Sequence, residues 1–226
     1  MTEVLSPLPA GPQETETATG KEIEKDTRPT TVFQAPDSFT LKHPLMHPWT
    51  LWFTRPSSGR KDENWNDLLK EVVSFDSVEE FWGIYNNISK TSELANKSDY
   101  HLFKRGVKPE WEDAQNSHGG KWLFQYKERH STPIDKLWLH TMLAAIGETV
   151  ESEEDDEVMG VVVNVRKGFF RIGLWTRTTT NKDALVRIGE RFKEVLQVPD
   201  GEKVEFVSHQ DSAHSGSTRA KTKMTA

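Results

Sequence analysis

The chain has 226 residues, no cysteine, and 35 acidic against 29 basic side chains, a formal charge of −6. Lack of cysteine excludes a disulfide framework and a thiolate metal site and fits a reducing compartment. The negative balance argues against nonspecific binding to long nucleic acid, which needs a broad basic surface, but leaves room for a local phosphate site.

Residues 1–38 are rich in Pro, Thr, Glu and Lys with few large apolar side chains. Such a composition cannot offset its ordering entropy, so a disordered tail is expected. The same stretch has neither the basic nor the apolar region of a secretory signal, and no apolar run approaches the ~18–20 residues of a membrane span. A cytoplasmic or nuclear protein is therefore expected. One domain is predicted over 39–210, followed by a flexible, mildly basic tail over 211–226.

Within the domain, PWTLWFTR (48–55) and LLKEVVSF (68–75) read as strands. A first helix is predicted at 78–88, with Ser77 and Glu80 as a capping-box pair. Its apolar cluster is Phe81, Ile84, Tyr85 and Ile88, and Val78 and Trp82 fall at the edge of that stripe. Strands follow at DYHLFKRG (99–106) and KWLFQYK (121–127). A second helix is predicted at 133–146, with Thr132 as cap, Pro133 in first position and Gly147 as stop. Ile134, Trp138, Met142 and Ala145 form its core side, while Leu139 and Leu143 drift to the rim. From pattern alone these edge residues fit either a broad core stripe or a groove for an amphipathic helix. The acidic run ESEEDDE (151–157) reads as a solvated loop. VMGVVVNVR (158–166), FRIGLWTR (170–177) and KVEFVSH (203–209) read as strands, and 182–196 as a third helix. Many strands with few short crossovers predict an α+β fold, a mostly antiparallel sheet with helices on one face.

Eight tryptophans against three tyrosines is a high load, and aromatic-rich surfaces are common at binding sites. Two of them, Trp65 in GRKDENWNDLL and Trp111 in KPEWEDAQNSHGGKW, lie in polar stretches. Either could fold over the rim of the core. Together they could also stack a flat, electron-poor ring, at ~1–3 kcal/mol per base, with a further gain for a cationic one. Glu112, beside Trp111, could accept from a base edge with two N–H donors, as guanine presents and adenine does not. Arg166 and Arg171 flank a hairpin turn containing Lys167 and Gly168, and a bound polyphosphate would relieve their repulsion. A solvated basic turn is the alternative. Lys121, after Gly119-Gly120, is a weaker phosphate candidate. There is no P-loop motif.

KHPL (42–45), PWTLWF (48–53), VEEFWGIYN (78–86), WED (111–113), GGKW (119–122), LWLHTMLAAIGE (137–148), VVVNVR (161–166) and LWT (174–176) together resemble the eukaryotic translation initiation factor 4E family, which binds the messenger RNA cap. The resemblance covers about 39–210 and extends through SGST (215–218). It implies a curved sheet of about eight strands backed on its convex face by three helices. It implies that Trp65 and Trp111 sandwich 7-methylguanine, Glu112 reads its Watson–Crick edge, and Trp175 lies near the N7-methyl group. Arg166 and Arg171 would hold the phosphates, with Lys121 and Lys167 as further contacts. Lys121 stands where many members have Arg, and Lys167 is one step from a usual Lys. It further implies a monomer without cofactor. A Tyr- and Leu-containing helix of a 4G-type scaffold or a competing repressor would dock on His43, Pro44, Val78, Trp82, Leu139, Leu143 and Gly147. His140 replaces a common Glu there. Ser217 matches a serine phosphorylated in some members. A cap-binding repressor of the same fold and a cap nucleotide hydrolase are the competing functions.

Overall fold

The structure is a computed structural model that describes residues 29–35, 38–59, 63–215 and 222–226. Ser217 lies outside the described residues. The chain divides into two compact units, Met1–Leu41 and Lys42–Ala226. In the first, the Thr40 amide donates to the Thr30 carbonyl (2.9 Å), and the Thr30 amide to the Thr40 hydroxyl (2.9 Å).

The second unit carries strands β1 (Pro44–Thr54), β2 (Leu69–Ser77), β3 (Asp99–Lys104), β4 (Gly120–Tyr126), β5 (Val158–Val165), β6 (Phe170–Thr176), β7 (Glu205–Ser208) and β8 (Met224–Thr225). They form one antiparallel sheet in the order β2-β1-β3-β5-β6-β4-β7-β8. Helices α2 (Val78–Tyr85), α3 (Ile134–Ile146) and α4 (Lys182–Val195) are the longest. A one-turn α1 (Trp65–Leu68) precedes β2, and α5 (His209–Ser215) follows β7.

Strand side chains alternate between the two faces of a sheet, and here the two sets go to different environments. Tyr100, Leu102, Val161, Val163, Ile172, Leu174, Trp122 and Phe124 join Phe81, Trp138, Met142, Ile188 and Phe192 of the helices in one core. Truncating an aromatic in such a core costs ~3–5 kcal/mol. Helix α4 lies so close to the sheet that a Cβ on Gly189 would come within 2.5 Å of the Trp122 ring. The opposite face, with His101, Asn164, Arg171, Gly173 and Trp175, lines a cleft instead.

Several local expectations differ from the structure. Strand β1 starts at Pro44, ahead of the apolar run, because Pro44 pairs with Ser77 across an irregularity in register. Helix α2 ends at Tyr85, short of the predicted 88. Ser77 makes no side-chain cap, and Glu80 accepts from the Asp76 amide (3.1 Å) instead. Pro133 takes the N-cap position of α3, while the Thr132 hydroxyl turns back to the Glu128 carbonyl (2.6 Å). Part of the stretch read as a C-terminal tail returns to the sheet. Met224 pairs with Phe206, and Val204 and Ala226 exchange backbone bonds at 3.1 and 3.2 Å.

The acidic run 151–157 is also not a solvated loop: Glu151 and Glu157 are buried. The Lys104 ammonium lies 2.9 Å from Asp156 and 3.6 Å from Glu151. Asp156 also takes Arg177 (2.9 Å), and Asp155 takes Arg187 (3.0 Å). Glu157 accepts from the amide and hydroxyl of Thr178. The inner carboxylates are thus paired or hydrogen-bonded, as buried charge requires. Among the described residues no helix is long and apolar enough to cross a membrane.

Candidate nucleotide-binding site

The strand register lays out the floor of a cleft of about 640 Å³ on the helix-free face. Three rows of facing residues cross β3, β5, β6 and β4. One is polar: Asp99, Asn164, Arg171, Gln125. The next is flat: His101, Val162, Gly173, Leu123. The third carries the aromatic end: Phe103, Gly160, Trp175, Lys121. The loop from 108 to 119 adds Pro109, Glu110, Trp111 and Glu112 to the wall, and Asn64 enters from the segment before α1.

That loop is held by its own polar side chains. The Asn116 amide group donates to the carbonyls of Lys108 (2.8 Å) and Glu110 (2.9 Å). Asp113 accepts from the amides of Lys108 (3.0 Å) and Gln115 (2.8 Å). Turn-forming Asp and Asn side chains thus replace absent ladder bonds, and they fix Trp111 with 41% of its surface exposed. The Trp111 indole N–H donates to the Glu112 carboxylate. Trp65 opens α1, and its side chain lies outside the described residues.

The cationic end is asymmetric. Arg166 is clamped by Asp99 through two bonds, 2.6 and 3.1 Å, and its Nη1 also donates to the Val165 carbonyl (2.9 Å). Arg171 donates to Gln125 (2.9 Å), and its buried Nε has no acceptor. No carboxylate among the described residues lies within ion-pair distance of Arg171 or Lys121. Burial, then the Arg166 charge, pulls the Arg171 guanidinium below its usual range. Burial and the Arg171 charge push the Lys121 ammonium down to about 8. Lys121 also sits 5.7 Å over the Trp175 ring. Lys167 is not brought into this cleft; it lines a second one beyond the hairpin turn.

Three residues of the site escaped the sequence reading. Asp99 orders Arg166. His101 receives or gives one bond with the Thr54 hydroxyl (2.8 Å), and burial holds its imidazole down at about 4, hence neutral. His209 packs on Trp175 with ring centroids 4.1 Å apart and is held down at about 3, by burial and then by Lys121. Strand alternation puts Gly173 on the same face as Arg171 and Trp175, but pairing Asp99 and His101 with them requires the strand order.

The Lys121 position gives a pH test. As a group whose folded pKa is depressed to about 8, it carries its charge below that value and loses it above. Its help to a bound anion should therefore fade as pH rises through about 8. Lys121→Arg keeps its charge. The affinity ratio of the variant to the wild type for a nucleotide triphosphate should grow between pH 7 and 9, and a flat ratio would mean that Lys121 does not meet the phosphates. The ratio is independent of any titration of the ligand.

On the other side of the sheet, the His43 ring and amide bond Glu79 (2.6 and 2.9 Å), and the Val78 amide donates to the His43 carbonyl (3.0 Å). His43, Pro44 and Val78 are thereby brought together. Val78 and Trp82 are each 37% exposed. Leu139 and Leu143 are half-buried on α3, with Gly147 exposed at its end. His47 bonds Glu148 at 2.6 Å, tying the end of α3 to β1.

A family model described as "Eukaryotic initiation factor 4E" matches residues 44–224. Translation initiation factor 4E-1 of Schizosaccharomyces pombe is 51% identical over 216 residues, 96% of this chain and 97% of that protein. A structure of Ascaris suum eIF4E-3 with an m2,2,7G cap is similar with a TM-score of 0.73 and 36% identity, over 82% of this chain and 98% of that one. A complex of Caenorhabditis elegans eIF4E-3 with the 4E-binding protein Mextli and a cap analogue gives 0.73 and 38%, over 82% and 100%. The family model that spans most of the domain and the relatives similar in sequence and structure lead to one conclusion: this chain belongs to the eukaryotic initiation factor 4E family.

Proposed function

We propose that the chain binds the 7-methylguanosine cap of messenger RNA in the cleft and passes it to the initiation machinery through a scaffold helix docked on α2 and α3. The observation that carries this reading is the polarity of the cleft. An exposed indole paired to a carboxylate stands in the wall, and two cations without carboxylate partners, Arg171 and Lys121, stand on the floor. In this reading the base stacks on Trp111 and Trp65, Glu112 accepts from guanine N1–H and N2–H, and Trp175 meets the methyl group. Arg171, Lys121 and the preordered Arg166 hold the phosphates. The cationic base gains from the indole faces, and the charged phosphates gain from guanidinium forks. Structures of similar proteins in complex with caps and with a 4E-binding protein support the reading.

Titrating intrinsic tryptophan fluorescence with 7-methyl-GTP and, in parallel, GTP tests it. Strong quenching by the methylated ligand at concentrations where GTP does little is expected. Equal weak responses would mean that the loop indoles serve only the fold.

The exposed Val78 and Trp82 favour a scaffold-binding factor over a repressor that lacks productive partners. Trp82→Ala should leave 7-methyl-GTP affinity within about twofold and abolish retention by a peptide with Tyr and Leu at helical spacing. A cap defect as large as the peptide defect would assign Trp82 to the core instead.

A further inference from the structure

The hairpin turn that closes the cationic end of the cap cleft also forms the wall of a second cleft. Arg166 and Phe169 face the first. Lys167 and Gly168, between them in sequence, line the second, about 370 Å³, with Lys127, Arg129, His130 and their neighbours from the segment after β4. Arg129 is fixed there: Nη1 donates to the Arg166 carbonyl (3.3 Å), and the guanidinium lies 5.0 Å over the Phe170 ring. The lining carboxylate, Glu128, is engaged by the Ser131 hydroxyl (3.0 Å). None of Lys127, Arg129 or Lys167 has an ion-pair partner among the described residues. In a chain of net charge −6, this is a local concentration of unpaired cations directly adjoining the phosphate end of the cap cleft.

We propose that this second cleft receives the ribose-phosphate chain that follows the cap, so that the transcript leaves the cap site over the β5–β6 turn. The proposal rests on the cap reading above. A polyanion continuous with the ligand in the first cleft is the occupant that both the adjacency and the charge select. Each phosphate neutralised on single-stranded RNA releases counterions and steepens the salt dependence by about 0.7 in the log–log slope.

The full chain is compared with its Lys127→Glu/Lys167→Glu double variant, both lysines being exposed and outside the core. The ligands are 7-methyl-GTP and an unstructured capped RNA of about ten nucleotides, titrated over a salt series. The wild type should bind the capped RNA more tightly than 7-methyl-GTP at low salt, with a steeper slope. The double variant should keep 7-methyl-GTP affinity within about twofold, lose the extra affinity for the RNA, and show a slope shallower by about 1.4. An unchanged RNA advantage in the variant would overturn the proposal and send the chain out by another route, such as past His209 and α5. An equal loss for 7-methyl-GTP would overturn it too, by giving the lysines to the cap's own phosphates. No binding of 7-methyl-GTP by the wild type would instead remove the cap reading itself.

Discussion

Alanine at Trp111 should weaken 7-methyl-GTP binding by ~1–3 kcal/mol, some 5- to 150-fold, measured by calorimetric titration. The direct loss is one face of the stack. A second loss comes through Glu112, because the Trp111 indole N–H donates to that carboxylate and sets its direction. Phenylalanine separates the two. Trp111→Phe keeps a ring and removes the donor, so it should retain much of the affinity while narrowing the preference for guanine over adenine cap analogues. Glu112→Ala should narrow it further at little cost to phosphate contact. The loop's own bonds through Asn116 and Asp113 hold the segment independently of the indole. Wild-type affinity in Trp111→Ala would sink the stack. Equal losses for guanine and adenine analogues in Glu112→Ala would sink the edge readout.

Alanine at Gly119 should be among the most destabilising single substitutions in the chain. A Cβ there would stand 1.8 Å from the Thr176 carbonyl oxygen. Overpacking usually costs ~1–3 kcal/mol, and the upper end or more is expected here, because the obstacle is backbone and cannot swing aside. Neither Gly119 nor Gly120 adopts a left-handed backbone. The pair instead lets β4 begin tight against β6 and β7, with Gly120 facing Thr176 and Ser208. Lys121 follows at once. Urea unfolding should show a lower midpoint, and the surviving folded protein should bind phosphate more weakly. A wild-type midpoint would mean that the strands part without cost.

What the sequence disclosed was whatever a local pattern could carry. The apolar, β-branched and aromatic runs 158–166 and 170–177 gave strands close to β5 and β6, and the spacing of Ile134, Trp138, Met142 and Ala145 gave the buried side of α3. Trp111 and Glu112 stood out because a large indole in a charged loop breaks a local expectation. What stayed hidden depended on distant partners. Seven acidic or small polar residues in a row look solvated until Lys104, Arg177 and Arg187 arrive from other elements. Strand β8 is two residues long, with no period to detect. The Asp99–Arg166 clamp joins positions 67 residues apart, and nothing near either residue announces the other.

The strand order has a consequence for synthesis. β4 pairs with β6 and β7, and β3 must wait for β5 before β5 can join it to β6. A nascent chain that has just released Trp111 and Glu112 holds these wall residues of the cleft without the floor beneath them. Pairings between distant segments form late because their loops must close first. The cleft is therefore assembled only once β6 has emerged, and retention on an immobilised methylated guanine nucleotide would report completed folding through β6 rather than the presence of the loop.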